Sequence, residues 1–178
     1  MKFQSNIFIL PGLGNSGDEH WQTLWEKQFG FTRIQQRDWE TPDRDEWIET
    51  IQRAISVVDP ATVILVGHSL ACSTIGYWAK KYSTPIKGAL LVAPSDTESE
   101  VYPQGTTGFK PMPMDKLPFR STVISSTNDM YVTVERANRF SNAWGSKLII
   151  LPDAGHINVA AGFGNWPGGI DFLKELDQ

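Results

Sequence analysis

Ser69 lies in a run of small residues that is typical of a catalytic nucleophile. Residues 67–71 are Gly-His-Ser-Leu-Ala, and they follow the β-branched and apolar run 62–66, which predicts a buried strand. This is the nucleophile-elbow pattern G-x-S-x-G with Ala71 in the last place. The strand-to-helix turn is tight, so the flanking positions must be small. The pattern predicts Ser69 as a nucleophile and the N–H of Leu70 as an oxyanion donor; the alternative is a serine that only caps the following helix.

An acid and a histidine follow in the order that an elbow serine requires. Asp129 comes just after the predicted strand 122–125, and His156 just after the predicted strand 147–151. The carboxyl ends of parallel strands meet at one sheet edge, so we expect Ser69, Asp129 and His156 to meet there as nucleophile, orienting acid and general base. Asp96, which follows the predicted strand 86–92, is the alternative acid.

A glycine-rich loop near the N-terminus allows two interpretations. Residues 12–17 are Gly-Leu-Gly-Asn-Ser-Gly, which with Asp38 fits the fingerprint of a dinucleotide-binding oxidoreductase. Asp18 and Glu19, however, stand where the next helix would receive a pyrophosphate, and two carboxylates would repel it. We therefore favour a loop that supplies a second oxyanion N–H, from Leu13.

The wall of the substrate pocket is expected to come largely from residues 94–118, a proline-rich stretch with few periodic apolar positions. Loops of this length within compact domains are usually functional, and the sequence leaves open whether this one is a mobile lid. His20 either lines the pocket or packs beside Trp21. The candidate pocket residues are His20, Phe109, Met112, Met114 and Trp166.

The elements that must position these residues alternate along the chain. The predicted strands cover residues 6–10, 32–36, 62–66, 86–92, 122–125 and 147–151, and the predicted helices cover 19–29 (capped by Asp18), 42–58, 69–82, 132–143 and 170–176. Such alternation predicts an α/β fold with a mostly parallel sheet flanked by helices on both faces. The length of 178 residues favours a single domain over 1–178.

Composition excludes several other classes of protein. The net charge of −4 argues against a nucleic-acid-binding surface, and the single cysteine, Cys72, excludes an internal disulfide. We find no signal-peptide pattern and no apolar run long enough to span a membrane, so a cytoplasmic location is expected. Three histidines without ligand spacing give no case for a metal, and no cofactor is expected. The oligomeric state stays open.

Five short blocks together resemble one hydrolase family. They are P-G-L-G-N-S at 11–16, H-W-Q-x-x-W at 20–25, G-H-S-L-A at 67–71, S-x-x-D at 126–129 and D-x-G-H at 153–156. The chain resembles, over nearly its whole length, the small serine hydrolases of the α/β-hydrolase superfamily that are grouped with YdeN and retinoblastoma-binding protein nine. The resemblance implies a compact hydrolase core without a large lid domain, with Ser69 as nucleophile, His156 as base and Asp129 as acid.

The resemblance does not extend to a retinoblastoma-protein partner. The L-x-C-x-E peptide associated with that binding is absent, because the only cysteine lies in Leu-Ala-Cys-Ser-Thr at 70–74. We expect a carboxylesterase-like enzyme that cleaves a small ester, thioester or amide through an acyl-enzyme, and whose activity falls as the pH drops through about 6.5, the reference pKa of histidine. The alternative from another class is a catalytically weak hydrolase-fold protein that acts as an interaction module.

Overall fold

Six parallel strands form the centre of the molecule in a computed structural model that describes residues 2–178. The strands are β1 (Asn6–Leu10), β2 (Thr32–Arg33), β3 (Val63–His68), β4 (Gly88–Val92), β5 (Ser121–Ser126) and β6 (Lys147–Leu151). Their order in the sheet is β2-β1-β3-β4-β5-β6, and every pair is parallel. The predicted parallel sheet is therefore confirmed, with β3, which leads to Ser69, near its middle.

Five helices connect the strands. They are α1 (Trp21–Phe29), α2 (Arg44–Ile55), α3 (Leu70–Tyr82), α4 (Val134–Trp144) and α5 (Pro167–Asp177). The expected cap of α1 is wrong: the His20 side chain, not Asp18, accepts from the N–H of Gln22 in the first turn, while Asp18 is exposed and pairs with Lys27. Helix α5 begins three residues earlier than predicted, with Pro167 at a first-turn position where its missing N–H costs nothing. Strand β2 is shorter than predicted.

Each face of the sheet packs against its own helices, because successive strand side chains point to opposite faces. In β3, Val63 and Leu65 face the core made with α2, α3 and α4, whereas Ile64 and Val66 face the core made with α1 and α5. Helices thus cover both faces, as the sequence predicted. The loops after the strands are left at the sheet edges, where they are free to carry side chains for chemistry.

Residues 93–120 cross from β4 to β5 without a helix or strand, and contacts with three helices hold them in place. Thr107 exchanges backbone hydrogen bonds with Pro42 and Arg44 at the start of α2. The indole N–H of Trp144, in α4, donates to the carbonyl of Pro113 over 2.7 Å, and the Tyr77 hydroxyl of α3 donates to the carbonyl of Pro111. Within residues 2–178, no helix is both long and apolar enough to cross a membrane.

Candidate active site

Ser69 occupies a strained turn between β3 and α3. Its φ of 58° and ψ of −121° lie outside the regions that L-residues favour, and its N–H donates to the carbonyl of Val92 over 3.0 Å. A Cβ on Gly67 would come within 2.8 Å of Cδ1 of Ile75, which explains the small residue two positions before the serine. The turn holds the Ser69 hydroxyl at the carboxyl edge of the sheet.

A chain of hydrogen bonds joins Ser69 to His156 and Asp129. Ser69 Oγ lies 2.9 Å from His156 Nε2, and His156 Nδ1 lies 2.8 Å from Asp129 Oδ2. The Asp129 side chain has no exposed surface, and that of His156 is only 9% exposed. Asp129 also accepts from the N–H of Tyr131. This is the geometry that a nucleophile, its general base and an orienting acid require.

The loops that carry Asp129 and His156 hold each other in register. At the end of β5, Ser126 Oγ accepts from the N–H of Ala154 over 2.8 Å, and Asn128 Oδ1, just after the strand, accepts from the N–H of Gly155 over 2.7 Å. The S-x-x-D block thus caps the backbone of the D-x-G-H block. The spacing of both blocks in the sequence has a physical basis, because each positions one partner of the hydrogen-bonded chain.

The H-W-Q block at residues 20–22 fixes the opposite side of the site. The indole N–H of Trp21 donates to the carbonyl of Ile157 over 2.9 Å, next to His156. The side-chain amide of Gln22 donates to the carbonyls of Leu10 and Val66, each over 3.1 Å. Helix α1 is thereby tied to the carboxyl ends of β1 and β3 and to the histidine loop.

Two backbone N–H groups beside Ser69 have no protein acceptor among residues 2–178, namely those of Leu13 and Leu70. Leu70 is the first residue of α3, so its N–H points out of the positive end of the helix. Gly12 brings the loop after β1 against the elbow, because a Cβ there would lie 2.8 Å from both the His68 carbonyl oxygen and the Ser69 Cβ. Both predicted oxyanion donors therefore belong to segments that meet at the nucleophile.

Three imidazoles stand in a row next to the serine. The His68 ring centroid lies 4.9 Å from those of both His20 and His156. His20 Nδ1 accepts from the N–H of Gln22, and His68 Nε2–H donates to the His156 carbonyl over 2.9 Å. His20 lines the cavity, and its ring centroid also lies 5.2 Å from that of Trp21.

Burial keeps two of these three imidazoles, those of His20 and His68, neutral. Burial, and then the positive charge of Arg33 and the neighbouring His156, lower the pKa of His20 to about 4. Burial also holds the pKa of His68 well below its ordinary value, with smaller contributions from His156 and His20. Neither ring therefore carries a charge at neutral pH beside His156.

A cavity of about 200 Å³ opens above Ser69. Its wall is formed by Leu13, Asn15, His20, His68, Ser69, Ser95, Tyr102, Pro103, Tyr131, His156 and Asn158. The sequence prediction included His20, Ser69 and His156 but missed other polar members of this wall, among them Ser95 and Tyr131. Ser95 Oγ lies 2.7 Å from Ser69 Oγ, and the Tyr131 ring packs 4.7 Å from the His156 ring. Tyr131 stands two residues after Asp129, and that closeness in sequence is the one local signal that could have identified it.

Four of the predicted pocket residues, all of them apolar, lie outside this cavity, so their placement in the pocket wall is wrong. Phe109 is buried against Trp47 and Leu70. Met112 and Met114 pack on the core under α2 and α3 and line a second cavity of about 770 Å³ there. Apolar side chains of the 94–118 stretch bury themselves against helices, where they remove more surface from water than a small polar cavity offers.

Trp166 also lies outside the cavity. It packs in the core between α1 and α5, stacked on Trp25 at 5.9 Å with 17° between the ring planes. The short 3₁₀ turn Val159–Ala161 and the residues after it carry the chain from His156 down to that face of the sheet. Nearness to His156 in sequence therefore does not mean nearness in space.

The alternative acid and the dinucleotide fingerprint are not supported. Asp96 accepts from the guanidinium of Arg136 over 2.6 and 2.9 Å rather than from an imidazole. Asp38 lies in an exposed turn, where it accepts from Glu40 and Thr41. In the part of the chain that the structure describes, no group of three or more His, Cys, Asp or Glu side chains could hold a metal ion.

Comparison with known proteins places the chain among hydrolases. Residues 7–175 match the family model described as serine hydrolase. A YdeN-like hydrolase from Pectobacterium atrosepticum is 35% identical with a TM-score of 0.84, over 98% of this chain and 91% of that one. The ydeN product of Bacillus subtilis is 19% identical, with a TM-score of 0.79 over 97% of this chain and 98% of that one.

More distant structures share the fold alone. A monoacylglycerol lipase from Paleococcus ferrophilus is 13% identical, with a TM-score of 0.68 over 99% of this chain and 95% of that one. No match was found among the curated proteins. The likeness to these hydrolase structures confirms the α/β-hydrolase fold expected from the sequence.

Proposed function

The chain belongs to the serine hydrolase family, whose model spans residues 7–175, and on that premise we propose that it cleaves a small carboxylic ester, thioester or amide through an acyl-enzyme on Ser69. The observation that carries the proposal is the hydrogen-bonded chain from Ser69 Oγ through His156 to the buried Asp129 carboxylate. Carboxylesterase-like activity is the form of this chemistry that we consider first, because esters are far more easily cleaved by acyl transfer than amides are.

Acylation begins when Ser69 Oγ attacks the scissile carbonyl carbon. His156 Nε2 takes the hydroxyl proton as the carbon–oxygen bond forms, while His156 Nδ1–H stays hydrogen-bonded to Asp129. The buried carboxylate holds the imidazole in the tautomer that leaves Nε2 free to accept, and it stabilises the imidazolium that results. The imidazolium then gives its proton to the leaving alcohol, thiol or amine.

The negative charge that develops on the carbonyl oxygen requires donors that are already in place. The N–H groups of Leu13 and Leu70 are without protein acceptors among residues 2–178 and flank Ser69. We assign the oxyanion hole to these two amides. The loss of one such donor typically slows the reaction by ~10²–10³-fold.

Deacylation reuses the same groups. A water molecule attacks the acyl-enzyme, His156 Nε2 takes its proton, and the proton passes to Ser69 Oγ as the carbon–oxygen bond breaks. A neutral His156 is needed at the start of each half-reaction. The neighbouring rings of His20 and His68 bring no positive charge to it at neutral pH.

The size of the cavity supports a small substrate. A space of about 200 Å³ lies below the usual volume of sites for drug-sized ligands, which is ~300–1,000 Å³. We therefore expect short acyl chains to be turned over faster than long ones. We also propose that residues 1–178 form one domain; the cytoplasmic location expected from the sequence stays a prediction.

The test is labelling of the purified protein with a fluorophosphonate probe, together with turnover of p-nitrophenyl acetate, butyrate and octanoate. We expect labelling of the wild type and none of Ser69→Ala. Ser73→Ala is the matched control, because Ser73 is a buried serine in the first turn of α3, the helix that follows Ser69, and its hydroxyl donates to the Leu70 carbonyl.

The outcomes separate the two classes of function. Loss of labelling in Ser69→Ala alone, with acetate turned over faster than octanoate, supports the proposal. A folded wild-type protein that neither reacts with the probe nor turns over any of the esters would contradict it. The interaction-module hypothesis would then take its place.

A further inference from the structure

A second hydroxyl group touches the atom that we propose as nucleophile. Ser95 Oγ lies 2.7 Å from Ser69 Oγ, and Ser95 is only 1% exposed. It follows β4 at the same sheet edge that carries Asp129 and His156. The backbone before it turns through Ala93, whose φ is 49° and whose N–H donates to the Ile124 carbonyl over 2.7 Å.

The direction of the bond between the two hydroxyls follows from the protons available. The Asp129 carboxylate can only accept, so His156 Nδ1 carries the imidazole proton and Nε2 is an acceptor. The single hydroxyl proton of Ser69 is therefore donated to Nε2. Ser69 Oγ has lone pairs left for a second partner, and the Ser95 hydroxyl is the donor that fills this place.

Ser95 has no other use for its hydroxyl in residues 2–178, where its only hydrogen-bond partner is Ser69. Ser73, another buried serine near the site, instead donates its hydroxyl to a backbone group, the Leu70 carbonyl. A buried hydroxyl is costly unless it is paired. Because its one partner is the proposed reacting oxygen, the Ser95 hydroxyl is positioned to affect the reaction rather than to hold the backbone in place.

We propose, on the basis of the proposed function, that Ser95 is a further catalytic residue that donates a hydrogen bond to Ser69 Oγ in both half-reactions. In acylation the Ser69 proton passes to His156 while the electron pair of Oγ forms the bond to carbon. In deacylation that bond breaks, Oγ takes back the pair, and His156 returns the proton. Ser95 transfers no proton; its hydrogen bond stabilises the partial negative charge on Oγ at each step.

The experiment measures the second-order rate of fluorophosphonate labelling and the burst and steady-state phases with p-nitrophenyl acetate. We expect Ser95→Ala to slow labelling and both phases by about 3–10-fold, the contribution of one hydrogen bond. The matched control is Ser125→Ala, because Ser125 is equally buried, at the adjacent β5, and its hydroxyl has no partner among residues 2–178. That variant should keep the wild-type rates.

A second variant guards against a folding defect. Ser95→Cys nearly preserves the side-chain volume and replaces the hydroxyl by a weak donor, so it should slow labelling almost as much as the alanine variant while melting like the wild type. Wild-type rates in Ser95→Ala or Ser95→Cys, or faster ones, would overturn the role of Ser95. A wild-type protein that does not react with the probe would instead overturn the proposed function itself.

Discussion

Of two cavities in this protein, the smaller one contains the candidate nucleophile and general base and the larger one contains neither of them. The active-site pocket, around Ser69 and His156, encloses about 200 Å³. The side groove, between α2, α3 and residues 111–115, encloses about 770 Å³. The sequence prediction placed Met112 and Met114 in the first, and the structure places them in the second. What distinguishes the two sites is how their polar groups and backbone are arranged.

Charge is handled differently in the two cavities. Around the side groove, Lys80 pairs with Asp115 over 3.0 Å and Lys81 with Glu49 over 2.6 Å, and all four side chains are more than 40% exposed. Such exposed pairs contribute little to stability. In the active-site pocket the His156 and Asp129 side chains are buried. The hydrogen bond to Asp129 fixes the proton of His156 on Nδ1, so that Nε2 is left to accept from Ser69.

Backbone strain also marks the smaller cavity. Of the six non-glycine residues with positive φ among residues 2–178, five lie in the loops at the carboxyl edge of the sheet. They are Asn15, Ser69, Ala93, Asp153 and Ile157, whereas Ser83 ends α3. Strain of this kind persists only where surrounding contacts enforce it, and it concentrates at functional sites. The backbone thus separates the two cavities more clearly than their volumes do.

The largest effect is expected from Asp129→Asn. The amide can donate to His156 Nδ1, which would favour the tautomer with the proton on Nε2 and remove the acceptor for Ser69. We expect kcat to fall by about 10⁴-fold with little change in melting temperature. Asp96→Asn is the control, since Asp96 pairs with Arg136. Equal losses of kcat in the two variants would contradict the assignment of the acid.

A smaller loss is expected from Gly12→Ala. The added Cβ would press against the His68 carbonyl and Ser69, 2.8 Å away, and would push the Leu13 N–H out of position. We expect kcat to fall by ~10²–10³-fold, the usual cost of an oxyanion donor. Gly17→Ala, where a Cβ would meet nothing within 4 Å, should leave kcat unchanged. A fully active Gly12→Ala would remove Leu13 from the oxyanion hole.

The same contrast explains what the sequence could predict. Ser69, Asp129 and His156 each lie within five residues of the end of a strand, so strand positions and chain order were enough to place them at one edge. The position of these three residues was predictable because short, local segments connect them to a regular sheet. The oxyanion assignments of Leu13 and Leu70 rest on the same rule and stay a prediction.

The pocket wall was not predictable in this way. The side chains of Tyr102 and Met112 come from the same irregular stretch, and only tertiary packing decides which lines the pocket and which covers α3. Asp18 and His20 could both have capped α1. The loop conformation decides between them, because it lets the helix begin at Trp21, directly after His20. Trp166 lies ten residues after His156, and a short turn between them is enough to place it in the core instead of the pocket.

The acid stability of the fold gives the next prediction. In the folded protein the pKa of His20 is about 4, below the ordinary 6.5, so between these pH values the unfolded chain binds a proton that the folded one does not. The free energy of unfolding should therefore fall as the pH drops from 6.5 towards 4, by up to about 3 kcal/mol from this group. His68 acts in the same direction.

His20→Asn isolates this contribution. An asparagine side chain can still accept from the N–H of Gln22 and cap α1, but it does not titrate. Urea unfolding at several pH values should show a shallower dependence on pH in the variant, with part of the slope remaining from His68. An unchanged slope would mean that His20 is not held neutral by the fold.

The smallest effects are expected in the side groove. Met112→Leu and Met114→Leu conserve volume, so each should cost less than about 1.5 kcal/mol of stability and change kcat/KM by no more than about two-fold. The groove nevertheless lies against α3, whose first residue, Leu70, supplies an oxyanion N–H in our proposal. A large loss of kcat/KM without a change in melting temperature would therefore show that packing in the groove sets the position of that N–H, and the two cavities would then have to be treated as coupled through α3.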